Sequence, residues 1–180
     1  GEDLIVARNI ELAALTGTHV HCQHVTSGRS VELIRRAKEH EVPISGEACP
    51  HHFTLTDATI GGSDHFWAED GRELQAEAQR TEWPAFDTNF KMNPPLRSAD
   101  DRAAIIAGLA DDTLEILASD HAPHCGHEKD VEFDYAPFGI TGLETELALS
   151  LMQLYHGQHL ELPALIAKFT VNPARLLDLP

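Results

Sequence analysis

The chain has 180 residues, a formal net charge of −16, 42% hydrophobic and 23% charged residues. Such a length suits one domain or a piece of a larger one, and so acidic a balance excludes a phosphate-neutralising nucleic-acid surface and argues against an anionic membrane. No apolar run reaches the ~18 residues of a membrane span, no signal peptide is visible, and three separated cysteines without a CxxC fit a reducing, cytoplasmic setting.

The opening Gly1-Glu2-Asp3 reads as a cut through a longer chain. Apolar residues from Leu4 to Ala14 recur at helical spacing, and Gly17 stands at a C-cap position, which predicts a helix over 2–16. Thr18 to Val25 is short and β-branched enough for a strand, with Val20, Cys22 and His24 on one face and His19, His21 and Gln23 on the other. After a turn at Thr26-Ser27-Gly28, Ser30 is suited to cap a helix running to about His40 with Val31, Ile34 and Ala37 on one side. Val42 to Glu47 predicts a second strand, with Cys49-Pro50-His51-His52 as the loop after it. Helix, strand, helix, strand with short connections implies a parallel sheet with crossover helices.

Residues 61–84 differ in character, being rich in Glu, Gln and Ala, with a predicted exposed acidic helix over 68–80. They read as a surface insertion; a lid or partner contact through Phe66, Trp67 and Trp83 is the other reading. Pro94 and Pro95 then fix the backbone just after Asn93, whose amide offers a donor and an acceptor to a ligand; a plain turn Asn before prolines is the alternative. Ser98 opens a helix with Asp100 and Asp101 in its first turn.

That helix leads to Glu115-Ile-Leu-Ala-Ser-Asp-His-Ala-Pro-His124, where a strand runs into an acid and then two histidines. In parallel α/β barrels, polar groups at the C-terminal strand ends face the site, so Asp120 and the strand-end His24 are candidates for chemistry. A strand end capped by a solvated turn is the simpler reading of either alone. An irregular stretch from Cys125 to Phe138 follows. Gly139 permits close backbone approach to a ligand or makes a turn, a long helix runs to about Tyr155, and helices over 162–169 and about 170–177 close the chain.

Six segments together resemble the class I dihydroorotases of the amidohydrolase superfamily: Gln23-His-Val-Thr-Ser27, Glu47-Ala-Cys-Pro-His-His52, Asp87 to Arg97, Ser119-Asp-His-Ala-Pro-His124 with Glu128-Lys129, Phe138 to Thr145, and Asn172-Pro-Ala-Arg175. The resemblance covers nearly the whole chain and implies part of a metal-dependent (β/α)8 TIM barrel. Residues 1–180 would form its C-terminal half, with an acidic insertion at about 61–84. It implies the reversible cyclisation of N-carbamoyl-L-aspartate to L-dihydroorotate in pyrimidine biosynthesis, with one or two zinc ions. It further implies His24 as a zinc ligand and Asp120 as both zinc ligand and proton shuttle. Asn93, Phe138 and Gly139 would hold the pyrimidine ring, and His124 the substrate carboxylate. His51 and His52 fall in a matching motif but receive no ligand role.

The family's His-x-His, its substrate-clamping arginine, its bridging carboxylate or carboxylated lysine and a further metal histidine are absent from this chain and expected upstream. The small β domain that follows the family's barrel is absent too. The resemblance also raises a homodimer and association with aspartate carbamoyltransferase. Two alternatives stay open: another cyclic amidohydrolase (hydantoinase, dihydropyrimidinase or allantoinase), or a non-catalytic scaffold for that transferase. A chain this short would be incomplete and inactive alone, with exposed sheet edges.

Overall fold

The computed structural model describes residues 1–70 and 81–179. Three short strands, β1 (Val20–Cys22), β2 (Ile44–Ala48) and β3 (Ile116–Leu117), form a parallel sheet in the order β1-β2-β3. Val20 pairs with Ile44 and Glu47 with Ile116, so the strands point their C-terminal ends the same way. An isolated parallel bridge between His121 and Ile140 carries the same direction one step beyond β3. This is a partial (β/α)8 barrel, in which the strand ends form one working face.

The helices α1 (Glu2–Thr16), α2 (Gly28–Glu39), α3 (Pro50–Thr54), α4 (Ser63–Asp70), α5 (Ala99–Ala110), α6 (Gly126–Lys129), α7 (Glu146–Ser150), α8 (Leu162–Phe169) and α9 (Val171–Leu176) surround the sheet. Helix α1 ends as its sequence predicts: Gly17 is left-handed at φ 69° and its N–H returns to the Ala13 carbonyl. Helix α5 is capped by Ser98, whose hydroxyl accepts the Asp101 N–H at 3.2 Å. Helices α1, α2 and α5 pack side by side on the sheet. The α2–α5 contact is close because Gly108 faces Val31, and a Cβ there would stand 2.8 Å from its Cγ1. Ile34, Phe53, Ile105, Leu109, Leu114, Leu154 and Leu165 are fully buried between helices and sheet, each contributing ~1.5–3 kcal/mol relative to exposure.

The end of the sheet opposite the site is pinned by two lysines. The wholly buried Lys168 donates to Asp112 Oδ1 at 2.6 Å and to the Leu114 carbonyl at 2.9 Å. Lys38 donates to the carbonyls of Asp112 and Thr113 and pairs with Glu115.

Several local expectations are corrected. The cap of α2 is Ser27, whose hydroxyl accepts the Arg29 N–H, whereas Ser30 is buried and donates to Asp3. The segment after Cys49 is helical rather than a loop, because Pro50 sits at the first position of α3, where its missing N–H and fixed φ suit a helix. The expected helix does reach Tyr155; only its last turn, Leu151–Tyr155, is π-helical where α7 ends. The irregular 125–138 stretch contains α6, closed by a reciprocal cap between Cys125 and Glu128.

In the acidic segment the helix begins at Ser63, earlier than expected, and the expected helical residues 71–80 lie outside the described residues. The segment leaves and returns at one place, since Ser63 N–H donates to the Trp83 carbonyl at 3.1 Å and Phe86 N–H to that of Ile60 at 2.8 Å. Its aromatic side chains pack on one another: Phe66 and Trp83 lie 5.6 Å apart, and Trp83 lies 5.1 Å from Phe90. Among the described residues no helix is long and apolar enough to cross a membrane.

Candidate active site at the strand ends

Strand β1 stops at Cys22, two residues before His24, so the strict alternation expected through His24 does not hold. His24 instead turns into the left-handed region at φ 37°, a conformation that sterics disfavour for any residue with a Cβ. Neighbouring groups hold it there. The Glu47 carboxylate at the end of β2 accepts the His24 N–H at 3.3 Å and lies 2.9 Å from His21 Nε2. The Glu47 carbonyl accepts the Val25 N–H at 2.9 Å. His21 is fixed from its other side by Ser45 Oγ, 2.7 Å from Nδ1.

Asp120 follows β3 and is also left-handed, at φ 48°. Two half-buried residues, His24 and Asp120, thus end strands β1 and β3 in the same strained backbone state, with the end of β2 between them. Among the described residues, neither the His24 ring nor the Asp120 carboxylate has a hydrogen-bond partner. Strained positions kept over free polar side chains are characteristic of functional sites.

A cleft of about 440 Å³ opens beside β1 and brings His24 together with Asn93, Arg97 and Glu2. Asn93 is exposed and precedes a cis bond to Pro94. Arg97 donates to Thr26 Oγ1 at 3.1 Å, and Glu2 accepts the N–H groups of Thr26 and Ser27, each at 3.0 Å. Those bonds, with the Thr26 hydroxyl, hold the Glu2 carboxyl below its ordinary range against the opposing effect of burial.

His124, Phe138 and Gly139 form a separate group. His124 Nε2 lies 2.8 Å from the Phe138 carbonyl, which can only accept, so that nitrogen carries the proton. Gly139 N–H donates to Lys91 at 3.1 Å. Gly139 has φ 129°, and a Cβ there would stand 2.5 Å from the Ala122 carbonyl oxygen. Lys129 ties the group together by donating to the carbonyls of Thr88, Lys91 and Pro137. His121 Nδ1 accepts the N–H of Gly142 at 3.0 Å, which seats the Gly139–Thr145 turn against the end of β3.

Behind the strand ends lies a buried trio, Cys49, His51 and His52. Burial pushes His51 down to about 2, with His52 and His24 adding to the effect. Burial likewise pushes His52 down to about 4, partly opposed by its bond to Pro94. Burial pushes the Cys49 thiol up, helped by Asp120 and Glu47.

Over 178 residues the chain is 48% identical to a protein named dihydroorotase from Clostridioides difficile, taking in 99% of this chain and 37% of that protein. Over 179 residues it is 45% identical to the dihydroorotase of Pelotomaculum thermopropionicum, with 99% and 36% covered. Over 99% of its own length the chain is similar to a segment of proteins named dihydroorotase. It spans just over a third of the length of these curated relatives. No family model matches the chain. Among solved structures it superposes on the L-hydantoinase (dihydropyrimidinase) of Arthrobacter aurescens with a TM-score of 0.78 at 23% identity, covering 98% of this chain and 35% of that one. The D-hydantoinase of Bacillus sp. AR9 gives 0.77 at 20% identity, covering 96% and 34%. At such identities the likeness concerns the fold.

The family resemblance implies a metal. The side chains at the strand ends fit one, because a neutral imidazole and a carboxylate without competing partners are donors that zinc accepts. The sequence did not single out Glu47, which holds His24, or Lys129 as a knot of three loops. An acid closing a strand in Ser45-Gly-Glu-Ala48 was the available signal for the first; nothing local marks the second.

Proposed function

We propose that this chain carries part of a dihydroorotase site, for the reversible zinc-dependent cyclisation of N-carbamoyl-L-aspartate to L-dihydroorotate in pyrimidine biosynthesis, in the cytoplasm. The observation that carries the reading is 45–48% identity to dihydroorotases over 99% of the chain. His24 and Asp120 would hold zinc, which when bound lowers the pKa of water from about 15.7 to about 7 and polarises the carbonyl under attack. Two donors fall short of the three or four that zinc takes, and the family resemblance assigns the others to residues upstream of this segment.

The remaining chemistry belongs to the chain's own side chains. In ring opening, oxygen adds to the carbonyl carbon, the C–N bond breaks and the nitrogen must gain a proton. Asp120 accepts the proton of the attacking nucleophile and then gives it to that nitrogen; in cyclisation it takes the ureido proton instead. Asn93, on the His24 cleft, offers a donor and an acceptor to the ring. The Phe138 carbonyl already receives His124 Nε2–H, and its second lone pair is available to a ring N–H. His124 would meet the substrate carboxylate only as the imidazolium, donating through Nδ1–H; Nδ1 now lies 3.7 Å from Glu128.

Residues 61–84 are read as an insertion in the barrel. A homodimer and association with aspartate carbamoyltransferase rest on the family resemblance alone. A second reading, hydrolysis of another cyclic amide, rests on the family resemblance; the fold shared with hydantoinases does not choose between the two. The test is dihydroorotate ring opening with zinc, run on this chain and on any longer product of its gene, with hydantoin and allantoin in parallel. Turnover of dihydroorotate alone supports the first reading. Turnover of hydantoin or allantoin in its place supports the second, and a folded, zinc-loaded but silent full-length protein points to the scaffold role.

A further inference from the structure

We propose that Cys49, His51 and His52 form a second, buried site for a soft divalent cation of the zinc class, distinct from the strand-end donors His24 and Asp120. One sulfur and two imidazole nitrogens of these residues all lie within 4.8 Å of one another. A tetrahedral zinc ion with one thiolate and two imidazoles needs ligand separations of ~3.5 Å. Binding would therefore draw the donor atoms inward from their present separation.

The polar atoms of the trio point to a missing partner. His51 is 5% exposed and His52 4%. His51 Nε2 and His52 Nδ1 are both buried without a hydrogen-bond partner. Buried polar atoms are almost always satisfied, and two such nitrogens in neighbouring rings, centroids 4.1 Å apart, call for an explanation.

The tautomer of His52 narrows it. Nε2 lies 3.1 Å from the Pro94 carbonyl, which only accepts, so Nε2 bears the proton and Nδ1 presents a bare lone pair. A ring whose far N–H is fixed by a backbone carbonyl is the arrangement used by metal-ligating histidines. Cys49, wholly buried beside them, supplies the third donor. A cation bound through His51 Nε2 and His52 Nδ1 would satisfy both orphaned nitrogens at once and, by deprotonating the thiol, provide a counter-charge inside the fold. This site does not depend on the dihydroorotase reading, since its donors take no part in that mechanism.

The sulfur gives the test its specificity, because His24 and Asp120 offer nitrogen and oxygen alone. The chain has three cysteines, so Cys22→Ala with Cys125→Ser leaves Cys49 as its one thiol. Metal-free protein of this background is titrated with cobalt(II) and followed by near-ultraviolet absorption. A thiolate-to-cobalt charge-transfer band is expected, saturating at one ion per chain, reversed by zinc, and weakened in affinity ~10–100-fold by His52→Gln. No band from a protein that circular dichroism shows to be folded overturns the site, as does a band indifferent to His52→Gln. Should the double variant fail to fold, X-ray absorption on cobalt-loaded wild-type protein decides. A first shell with one sulfur and two imidazoles supports the site, and a shell of nitrogen and oxygen alone overturns it.

Discussion

The Glu47 carboxylate grips the backbone of His24: one oxygen accepts the His24 N–H at 3.3 Å while the other lies 2.9 Å from His21 Nε2. With the Glu47 carbonyl receiving Val25 N–H, a single residue of β2 fixes the exit of β1 on both sides of the strained turn. Removing the carboxylate leaves the part-buried His24 N–H unpaired, at a cost of ~1–3 kcal/mol. Glu47→Ala is therefore expected to lower stability by that amount in urea unfolding. It should also weaken zinc binding ~10–100-fold in chelator competition, because a ligand whose backbone wanders loses its aim. Glu47→Gln, which keeps an acceptor, should recover part of both. Zinc affinity unchanged in a folded Glu47→Ala protein would remove Glu47 from the site.

The left-handed turns at φ 37° and 48° make a separable prediction. Glycine occupies such backbone freely, whereas an L side chain is strained by ~1–2 kcal/mol. His24→Gly is expected to hold or raise the melting temperature while lowering zinc stoichiometry and turnover. Asp120→Asn, whose side chain tolerates the same turn, should keep the fold and abolish turnover in the full-length enzyme. A His24→Gly protein with undiminished zinc content would make His24 a structural residue.

These two turns also mark the limit of reading by pattern. Helix α1, its Gly17 stop and the Ser98 cap were legible because each rests on contacts within a few residues. His24 and Asp120 were legible as strand-end residues, but their left-handed state was not; at His24 it is held by Glu47, a residue distant in sequence. The helix at Pro50–Thr54 was missed although a proline at its first position announces it, because Cys49-Pro-His-His52 shows no apolar periodicity to support that one helix-starting signal. The pairing of His52 with Pro94 joins residues far apart in sequence, and no local pattern encodes it.

The trio behind the site predicts a pH dependence. His51 and His52 fall from 6.5 to about 2 and about 4 in the fold, chiefly through burial. Below pH ~6.5 the unfolded chain binds protons that the folded chain refuses, so stability present above that pH is lost as pH falls, at ~1.4 kcal/mol per unit for each histidine. The loss should be steepest between pH ~6 and ~4 and slacken below, as His52 begins to protonate in the fold. Neighbouring charge modifies it: Glu2 favours protonation of His52, while His24 and Arg97 oppose it. Urea unfolding of metal-free protein across this range measures the slope, and His52→Gln should roughly halve it. A flat profile would mean that both rings reach solvent.

Under the proposed function, Gly139 links the fold to substrate recognition. At φ 129° its missing Cβ would lie 2.5 Å from the Ala122 carbonyl oxygen, 2.8 Å from Ala122 Cβ and 3.2 Å from His124 Nε2. Gly139→Ala must move either the 138–140 backbone or the His121–His124 turn, and each motion breaks the bond between His124 and the Phe138 carbonyl. A destabilisation of ~1–3 kcal/mol is expected, since overpacking is added to backbone strain. Because Asp120 and His24 are not touched, turnover at saturation should suffer less than KM for dihydroorotate, which should rise several-fold. Ala122→Gly in the same protein removes the Cβ clash but not the carbonyl contact, so it should restore stability in part and KM little. A Gly139→Ala enzyme with normal KM would show that the Phe138–Gly139 backbone does not meet the substrate.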